Sequence, residues 1–428
     1  MSESIADIYS LYTMCHIHDM QHEHLSPQKD SDRVYLDWAA ATPLSDAART
    51  AMEPFLTTAF ANPSAIHHEG QVAGEAVRAA RQRVARALSV RPAQVTFTSG
   101  GTEANNLAIF GLLQALKADG RPYAEQEVLT TATEHPSISE PLRFAAREFG
   151  ITVRELPVTE TGQLAPATLA EALSPRTVLL ATAYVNSEIG TIQPVREFSR
   201  MLQAHRATVG APPYLLLDAA QAPLWLPCAP ERLGADLMTL DFAKCGGPKG
   251  SGALINRSPV PLCPWIFGGG QERALRPGTE AVPLIVGGSV ALAEAQEAWE
   301  ERQAAVATVR DSGITCVLSE VPGAVLNGPR AAARVANNIN ISLPGIDTEF
   351  AAVVLDARGY AVSTKSACSG AGGGASAVVL ACTNDDARAA ATLRVTIGPR
   401  NTATQLSGMA SVLREHVAQM RRFDSQTE

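Results

Sequence analysis

Hydrophobic residues recur along the chain with two different periods, and stretches of the two kinds alternate. Between residues 70 and 88, apolar side chains recur every three to four positions with arginines on the opposite face, which predicts an amphipathic helix. Short apolar runs, separated by helical stretches, then predict strands at 95–98, 128–131, 151–156, 178–184, 214–218, 237–240 and 253–255. This alternation predicts an α/β fold with a mainly parallel sheet covered on both faces.

The pattern changes after Gly287 to a long Ala/Glu-rich stretch. It predicts one helix to about Asp311, followed by a strand at 337–343, a helix at 347–358, a strand at 392–397 and a last helix. We place a domain boundary near Val286. Residues 1–32 are then a polar tail, 33–286 a large domain and 287–428 a smaller α+β domain carrying a glycine-rich loop.

Composition excludes several classes of protein. With 428 residues, 46% of them hydrophobic and 18% charged, the chain is long enough for one large and one smaller globular domain. A net charge of −8 without a basic patch argues against direct nucleic-acid binding. No apolar run is long enough to span a membrane, and the N-terminus lacks the basic start of a signal peptide. Seven scattered cysteines without a CxxC pair are typical of reduced thiols. We therefore expect a cytoplasmic protein.

The N-terminal tail contains His16, His18, His22 and His24. Such a tract could bind a divalent metal, but we expect a disordered polar tail and assign no metal site.

Lys244 follows the strand at 237–240 and precedes the turn Gly246-Gly-Pro-Lys249-Gly. The chain has few lysines, and the others lie in the tail, on a surface-like helix, inside this turn or beside a cysteine. By elimination Lys244 is the best candidate for a Schiff base, which requires a deprotonated amine. The simpler interpretation is a solvated lysine at the bend of a hairpin.

Two other strand ends carry complementary chemistry. Asp218 ends an apolar strand, and Gln221 follows it by three residues. The sequence Ser99-Gly-Gly-Thr102 follows another strand and starts a helix, whose free N–H groups and dipole form an anion site. A lysine, a carboxylate and an anion site together suit pyridoxal phosphate, with its aldehyde, pyridine nitrogen and phosphate.

The strand ends also predict where these groups meet. Residues Thr102, His135, Asn186, Asp218 and Lys244 each follow a strand. Because ligands of parallel sheets bind at the carboxyl ends of the strands, we expect one shared pocket. His135 could instead start a helix and Asn186 could cap a turn.

Cys368 lies in the stretch Lys365-Ser-Ala-Cys-Ser-Gly-Ala-Gly-Gly-Gly. A loop so rich in small residues can carry a reactive group to a fixed site. We expect its thiol to be exposed and ionisable, with Lys365 favouring the thiolate.

The motifs in chain order resemble those of a known family. They are Ser99-Gly-Gly-Thr-Glu-Ala-Asn-Asn-Leu, Glu134-His-Pro, Val185-Asn-Ser-Glu-Ile-Gly-Thr-Ile-Gln-Pro, Asp218-Ala-Ala-Gln221, Lys244-x-x-Gly-Pro-Lys-Gly, Gly268-Gly-Gly-Gln-Glu-Arg-x-x-Arg-Pro-Gly-Thr279, Ser366-Ala-Cys368 and Leu393-Arg394. This order, from about Val34 to about Arg400, resembles the NifS/IscS-like cysteine desulfurases. They form part of the class V aminotransferase branch of fold type I pyridoxal-phosphate enzymes.

The resemblance implies how the cofactor is held. Lys244 would form the Schiff base and Asp218 would keep the pyridine nitrogen protonated, while His135 would stack on the ring and relay protons. The amides of Asn186 and Gln221 would hold the phenolic oxygen. The phosphate would bind Gly101, Thr102 and, from the second subunit of a homodimer, Thr279.

The resemblance also implies the reaction. L-cysteine would be converted to L-alanine, with Arg394 and Asn186 binding the substrate and Cys368 taking the sulfur as a persulfide. A sulfur-acceptor protein, such as an iron–sulfur scaffold or sulfur carrier, would then receive it. Two alternatives remain: another enzyme of this branch, such as a selenocysteine lyase or aminotransferase, for which Cys368 is dispensable, or a cofactor-poor binding protein in sulfur trafficking.

The chain departs from the family at two positions near Lys244. Asp241 and Ala243 stand where the family usually has a serine and a histidine that help to hold the phosphate. A carboxylate about 4 Å from a phosphate is repelled by roughly 4 kcal/mol per charge pair at an effective dielectric of about 20. We therefore expect Asp241 to turn away, to pair with a cation or to take a proton.

Overall fold

The computed structural model of the protein describes residues 33–210, 212–364 and 374–427. The strands are β1 Val34–Tyr35, β2 Val95–Thr98, β3 Glu127–Thr131, β4 Thr152–Leu156, β5 Thr177–Ala183, β6 Tyr214–Asp218, β7 Leu237–Asp241, β8 Gly252–Asn256, β9 Val325–Leu326, β10 Asn338–Ser342, β11 Tyr360–Ala361 and β12 Thr392–Thr396. The helices are α1 Asp46–Thr57, α2 His68–Leu88, α3 Gly101–Ala118, α4 Pro136–Phe149, α5 Pro166–Ala172, α6 Val195–Val209, α7 Pro230–Leu233, α8 Val282–Glu297, α9 Trp299–Glu320, α10 Thr348–Ala357, α11 Ala377–Thr383, α12 Asp386–Ala390 and α13 Ala403–Thr427.

Seven strands form the central sheet, in the order β2-β8-β7-β6-β5-β3-β4. Neighbouring strands from β7 to β4 are parallel, whereas β8 is antiparallel to both β7 and β2. Each strand predicted between residues 95 and 255 overlaps one strand of this sheet, so the prediction of a mainly parallel α/β fold is confirmed. The carboxyl ends of β2, β3, β5, β6 and β7 consequently lie along one edge.

Alternating side chains of the central strands build two cores. Leu179 packs into the core formed with α3 and α4, and its neighbour Leu180 packs into the core formed with α5 and α6. Successive side chains of a strand point to opposite faces, so a strand buried on both sides is apolar throughout. This explains why the strands appear in the sequence as short continuous apolar runs.

A second sheet of three antiparallel strands has the order β12-β10-β9. The two long helices α9 and α13 pack against each other beside it. Its strands β10 and β12 and the helix α10 confirm the pattern predicted for the C-terminal part. The domain boundary near Val286 falls within α8 and stays a prediction.

The single long helix predicted after Gly287 is wrong. The structure has α8 and α9 instead, separated at Ala298, whose φ of −118° and ψ of 21° are not helical. The guanidinium of Arg302 donates to the carbonyl oxygens of Ala295 at 3.0 Å and of Glu294 at 3.3 Å, which satisfies acceptors freed at the end of α8. Because this capping comes from a side chain of α9 and no Gly or Pro marks the break, the hydrophobic pattern does not reveal it.

Over the three described ranges, none of the helices has both the length and the apolar character that crossing a bilayer requires. The predicted polar tail at residues 1–32 lies outside the described residues.

Candidate active site

One pocket of about 150 Å³ lies at the carboxyl edge of the central sheet. It is lined by most of the predicted site residues: Gly101, Thr102, His135, Asn186, Asp218, Gln221, Lys244 and Arg394. Thr279 is exposed and does not line this pocket, and Cys368 lies outside the described residues. The sheet therefore brings together side chains that are up to 293 residues apart, since Gly101 and Arg394 both line the pocket.

Lys244 ends a short 3-10 turn that follows β7. Its Nζ donates to the carbonyl oxygen of Ala39 at 3.0 Å and to that of Ala40. The carbonyl of Ala243 accepts from the backbone N–H of Thr42 at 3.0 Å and from its hydroxyl at 2.9 Å. The segment around residues 39–42 is thus fixed against the lysine turn, and the amine is held at the pocket wall rather than solvated at the bend of a hairpin.

Asp218, at the end of β6, is only 8% exposed. Its Oδ1 accepts from the backbone N–H of Ala220 at 2.9 Å, and its Oδ2 accepts from Nδ2 of Asn105 at 2.8 Å. Both oxygens are therefore oriented by donors on neighbouring elements.

His135 is the N-cap of α4, where its Nδ1 accepts from the backbone N–H of Ser137 at 3.1 Å. The same Nδ1 lies 2.8 Å from the hydroxyl oxygen of Ser137. The helix-start interpretation of His135 is thus correct. His135 also lines the pocket. The same residue therefore starts a helix and contributes to the shared pocket, which are the two interpretations that the sequence left open.

The two predicted amide side chains are engaged with backbone groups. Oδ1 of Asn186 accepts from the N–H groups of Glu188 and Ile189, both at 2.9 Å, which is the turn-capping role. Its Nδ2 donates to the carbonyl of Thr133 at 2.9 Å. Nε2 of Gln221 donates to the carbonyl of Ala39 at 2.9 Å. Both side chains still line the pocket. The amide nitrogen of each carries a second hydrogen that these bonds do not use.

Arg394, in β12, is only 2% exposed. Its Nη2 donates to Oδ1 of Asp37 at 2.9 Å, and its Nη1 donates to the carbonyl of Ser187 at 3.2 Å. Its buried Nε has no hydrogen-bond partner in the described part of the chain. A buried guanidinium N–H without an acceptor is costly, so its place in the pocket wall points to an acidic ligand. Burial raises the pKa of Asp37, and the charge of Arg394 opposes that shift.

The predicted anion site is the N-terminus of α3. Gly100 precedes the helix with φ of 151°, a conformation that favours glycine. The side chain of Asp241 lies next to Gly100 and Gly101, and the N–H of Ala243 donates to its Oδ1 at 3.0 Å. Burial raises the pKa of Asp241, while the charge of Lys244 lowers it. Of the three arrangements expected for Asp241, the structure does not show the one in which it turns away, because Asp241 lines the pocket.

The loop that contains Lys365 and Cys368 lies outside the described residues, but both of its flanks are fixed beside the pocket. Ser363 exchanges backbone hydrogen bonds of 3.1 and 2.7 Å with Arg394. On the other side, the hydroxyl of Ser376 donates to Oε2 of Glu188 at 2.6 Å. The loop therefore starts and ends next to pocket-lining segments.

Two other cysteines, Cys245 and Cys263, have thiols that suit the reaction less well than that of Cys368. Cys245 follows Lys244 but is buried, and burial raises the pKa of its thiol. A buried thiol of raised pKa is a poor nucleophile. Cys263 is partly buried and does not line the pocket that contains Lys244.

The residues present suit pyridoxal phosphate at three of its groups. The pocket offers an amine for the aldehyde, a buried carboxylate for the pyridine nitrogen and an imidazole at the wall. The unpartnered Nε of Arg394 suits the carboxylate of an amino-acid substrate. At the phosphate end the helix N-terminus is present, but the carboxyl group of Asp241 lies beside it.

Sequence reasoning missed Asn105 and Ser137, which link Asp218 to His135, and Asp37, which orients Arg394. Asn105 falls inside a quoted motif, and its position one helical turn into α3 was the available signal. Asp37 gave no signal because its partner Arg394 is distant in the sequence. Ser137 gave none because its contact with His135 depends on the geometry of a turn. No cluster of potential metal ligands occurs in the described ranges, and the histidine tract lies outside them.

The sheet topology and the pocket at its carboxyl edge define an α/β protein of fold type I, the fold of pyridoxal-phosphate-dependent transferases. Residues 34–409 match the family described as aminotransferase class-V. The chain belongs to the class V aminotransferase family.

Similar proteins narrow the comparison within this family. "Cysteine desulfurase IscS" of Dictyoglomus turgidum is 36% identical over 388 residues, which is 91% of this chain and 95% of that protein. The solved structure titled "NIFS-LIKE PROTEIN" has a TM-score of 0.82 at 28% identity and covers 90% of this chain and 99% of its own. The structure titled "SspA in complex with cysteine" has a TM-score of 0.72 at 29% identity, covering 85% of this chain and 99% of its own.

Proposed function

We propose that the chain is a pyridoxal-phosphate-dependent cysteine desulfurase, which converts L-cysteine to L-alanine and transfers the sulfur to Cys368. The observation that carries the proposal is Arg394. Arg394 lines the same pocket as Lys244 and Asp218, and its buried Nε has no hydrogen-bond partner within the described ranges. An amino-acid substrate needs a cation for its carboxylate next to the group that binds its nitrogen, and this pocket has both.

The pocket residues would hold the cofactor at separate points. Lys244 would bind its aldehyde carbon, Asp218 would accept from its pyridine nitrogen, and Gln221 and Asn186 would lie at its phenolic oxygen. Gly101 and Thr102 would hold its phosphate, together with Thr279 of a second copy of the chain. When bound, pyridoxal phosphate supplies an electron sink that stabilises negative charge at Cα of the substrate.

The substrate would be oriented by Arg394. Its Nε and Nη1 would bind the substrate carboxylate, while Asp37 keeps Nη2 and thereby fixes the plane of the guanidinium. The Nζ of Lys244, released from the cofactor, would move the proton at Cα of the substrate. The imidazole of His135, in the same pocket wall, would move protons at the edge of the site.

The sulfur transfer is balanced without an external oxidant. The C–S bond of cysteine breaks and an S–S bond forms at Cys368, so the substrate carbon is reduced to the methyl group of alanine while the two sulfurs become a persulfide. Cys368 is four residues from Thr364, and an extended chain of four residues spans up to about 14 Å. Ser363 is bonded to the backbone of Arg394, so this tether lets the thiol reach the pocket.

The remaining assignments depend on the family. We propose a homodimer with a large domain at 33–286 and a small one at 287–428, located in the cytoplasm. A sulfur-acceptor protein, either an iron–sulfur scaffold or a sulfur carrier, would take the persulfide sulfur from Cys368.

The test of the thiol compares Cys368, in the loop, with Cys382, in the helix that follows the loop. Cys368→Ser should keep the bound cofactor and lose both the persulfide and alanine formation from L-cysteine. The matched control is Cys382→Ser, because Cys382 lies in α11 and burial raises the pKa of its thiol to about 11. Unchanged alanine formation by Cys368→Ser would contradict the assignment, and activity retained only with selenocysteine would indicate a selenocysteine lyase.

A further inference from the structure

A buried hydrogen-bond chain connects the carboxylate of Asp218 to the imidazole of His135. Asn105, in α3, is fully buried and donates through Nδ2 to Oδ2 of Asp218 at 2.8 Å and to the hydroxyl oxygen of Ser137 at 2.9 Å. The hydroxyl oxygen of Ser137 lies 2.8 Å from Nδ1 of His135. One amide therefore contacts both arms of the predicted active site.

The orientation of the Asn105 amide is determined by its partners. Oδ1 of Asn105 accepts from the hydroxyl of Thr239, which is fully buried in β7, at 2.8 Å. Carboxylate oxygens accept hydrogen bonds, so the nitrogen of the amide faces Asp218. Both N–H groups of Asn105 are then used, one for Asp218 and one for Ser137.

The orientation of Asn105 determines the direction of the next bond. Because the oxygen of Ser137 accepts from Asn105, its own hydrogen is available for Nδ1 of His135. The same Nδ1 accepts from the backbone N–H of Ser137 at 3.1 Å. With two donors facing it, Nδ1 is an acceptor, and a neutral imidazole then carries its hydrogen on Nε2.

We propose that Asn105 and Ser137 are positioning residues, which orient the Asp218 carboxylate and hold His135 as the neutral tautomer with its hydrogen on Nε2. The proposal rests on the proposed function only in giving Asp218 and His135 their roles in the reaction. A proton added to Nδ1 would break both bonds from Ser137, so the ring acts through Nε2 alone. The protein thereby sets the direction in which His135 exchanges protons.

The test uses the enzyme loaded with pyridoxal phosphate and labelled with ¹⁵N-histidine. Ring ¹⁵N chemical shifts distinguish the two tautomers, and His135→Gln identifies the signals of His135. In the wild-type enzyme we expect the Nε2–H tautomer. Ser137→Ala should produce a mixture of tautomers, because one of the two donors to Nδ1 is lost, and Ser137→Thr should restore the wild-type signals. The control is Ser139→Ala, in the same helical turn, which should change nothing.

A second variant tests the link through Asn105. Asn105→Asp replaces a donor by an acceptor without touching His135, so the hydroxyl of Ser137 should turn toward the new carboxylate and the His135 tautomer should shift as in Ser137→Ala. A purely structural role of Asn105 would leave the tautomer unchanged. If Asn105→Asp does not fold, the Ser137 series still decides. An Nδ1–H tautomer in the wild-type enzyme, or unchanged signals in Ser137→Ala, would overturn the proposal.

Turnover adds an independent measurement. Ser137→Ala should lower kcat for alanine formation about ten-fold with KM for L-cysteine changed less than about two-fold, because the substrate contacts are intact. A tautomer shift with unchanged kcat would restrict the two residues to structure and overturn their positioning role. A wild-type enzyme with no turnover of L-cysteine would instead refute the proposed function, while the tautomer result would stand.

Discussion

In the proposed function, Arg394 binds the carboxylate of the substrate. Its Nη2 donates to Asp37 and its Nη1 to the carbonyl of Ser187, while its Nε has no partner among the residues that the structure describes. We expect Arg394→Lys to keep the charge beside Asp37 but to lose the planar fork that binds a carboxylate through two N–H groups. Since hydrogen bonds to charged groups contribute about 1.5–3 kcal/mol, KM for L-cysteine should rise at least about ten-fold.

Steady-state kinetics with L-cysteine would measure this change. The control is Arg388→Lys. Arg388 is partly buried, and it binds Asn327 and the carbonyl of Leu326 away from the pocket. An unchanged KM in Arg394→Lys would place the substrate carboxylate elsewhere.

Glu134 gives a prediction about pH and stability. Its carboxyl group accepts from the hydroxyls of Thr131 and Thr182 and from the N–H of Ala183, yet burial raises its pKa from 4.5 to about 7. The folded state therefore binds this proton more tightly than the unfolded state does. The resulting stabilisation is complete below pH 4.5 and is lost as the pH rises through 7.

Glu134→Gln removes this titration because glutamine stays neutral. Between pH 5 and pH 8, the unfolding free energy of the wild-type protein should fall relative to that of Glu134→Gln by about 2.5 kcal/mol. Denaturant unfolding at several pH values would measure the difference, with Glu140→Gln as an exposed control on α4. A difference that does not depend on pH would contradict the raised pKa.

At the residue scale, the chemical types of the site residues could be predicted from the sequence better than the contacts between them. Lys244 and Asp218 could be predicted because their chemical types are unusual at strand ends. The bonds from Asn105 and Ser137 could not, because they join α3 to the first turn of α4 across 32 positions of sequence. Nor could the ion pair of Asp37 and Arg394, whose partners are 357 positions apart.

The N-terminus of α3 has Asp241 beside it, at one of the two positions where the sequence departs from the motif of the family it resembles. The carboxyl group of Asp241 lies beside Gly100 and Gly101, where a phosphate would bind. Two like charges about 4 Å apart repel by roughly 4 kcal/mol at an effective dielectric of about 20. We therefore expect Asp241→Asn, which keeps the acceptor for the N–H of Ala243, to tighten the binding of pyridoxal phosphate at least about ten-fold.

Equilibrium dialysis with pyridoxal phosphate and with pyridoxal separates this effect from general changes of the pocket. Pyridoxal lacks the phosphate, so its dissociation constant should be the same in Asp241→Asn and in the wild-type protein. Equal tightening of both ligands would show that the effect is not at the phosphate. Weaker binding of pyridoxal phosphate would mean that the carboxyl group itself supports the phosphate.

Strands and helices were predicted well where the local pattern of hydrophobic residues identifies them. The strands of the central sheet follow from continuous apolar runs, because strands buried on both faces need apolar residues at every position. The shared pocket followed from the rule that ligands bind at the carboxyl ends of parallel strands. The break between α8 and α9 was missed, because it depends on capping by Arg302 rather than on Gly or Pro.

At the scale of the whole molecule, apolar side chains on the surface support the proposed dimer. Phe60, Ile66 and Phe267 are 76%, 92% and 79% exposed, and exposed apolar groups commonly mark interfaces. Light scattering should give twice the chain mass of 45.1 kDa. Phe267→Ser should shift the equilibrium toward monomer, whereas Phe350→Ser, at a residue only 37% exposed, should not. A monomeric wild-type protein would contradict the dimer and the role of Thr279.

The central claim is that this pocket removes sulfur from cysteine. The most direct measurement incubates the purified protein, loaded with pyridoxal phosphate, with L-cysteine and a reducing thiol, and quantifies alanine and sulfide together. The account predicts equal amounts of both products, formed over many turnovers and lost in Lys244→Ala. Sulfide accompanied by pyruvate instead of alanine, or no consumption of L-cysteine by the loaded protein, would contradict it.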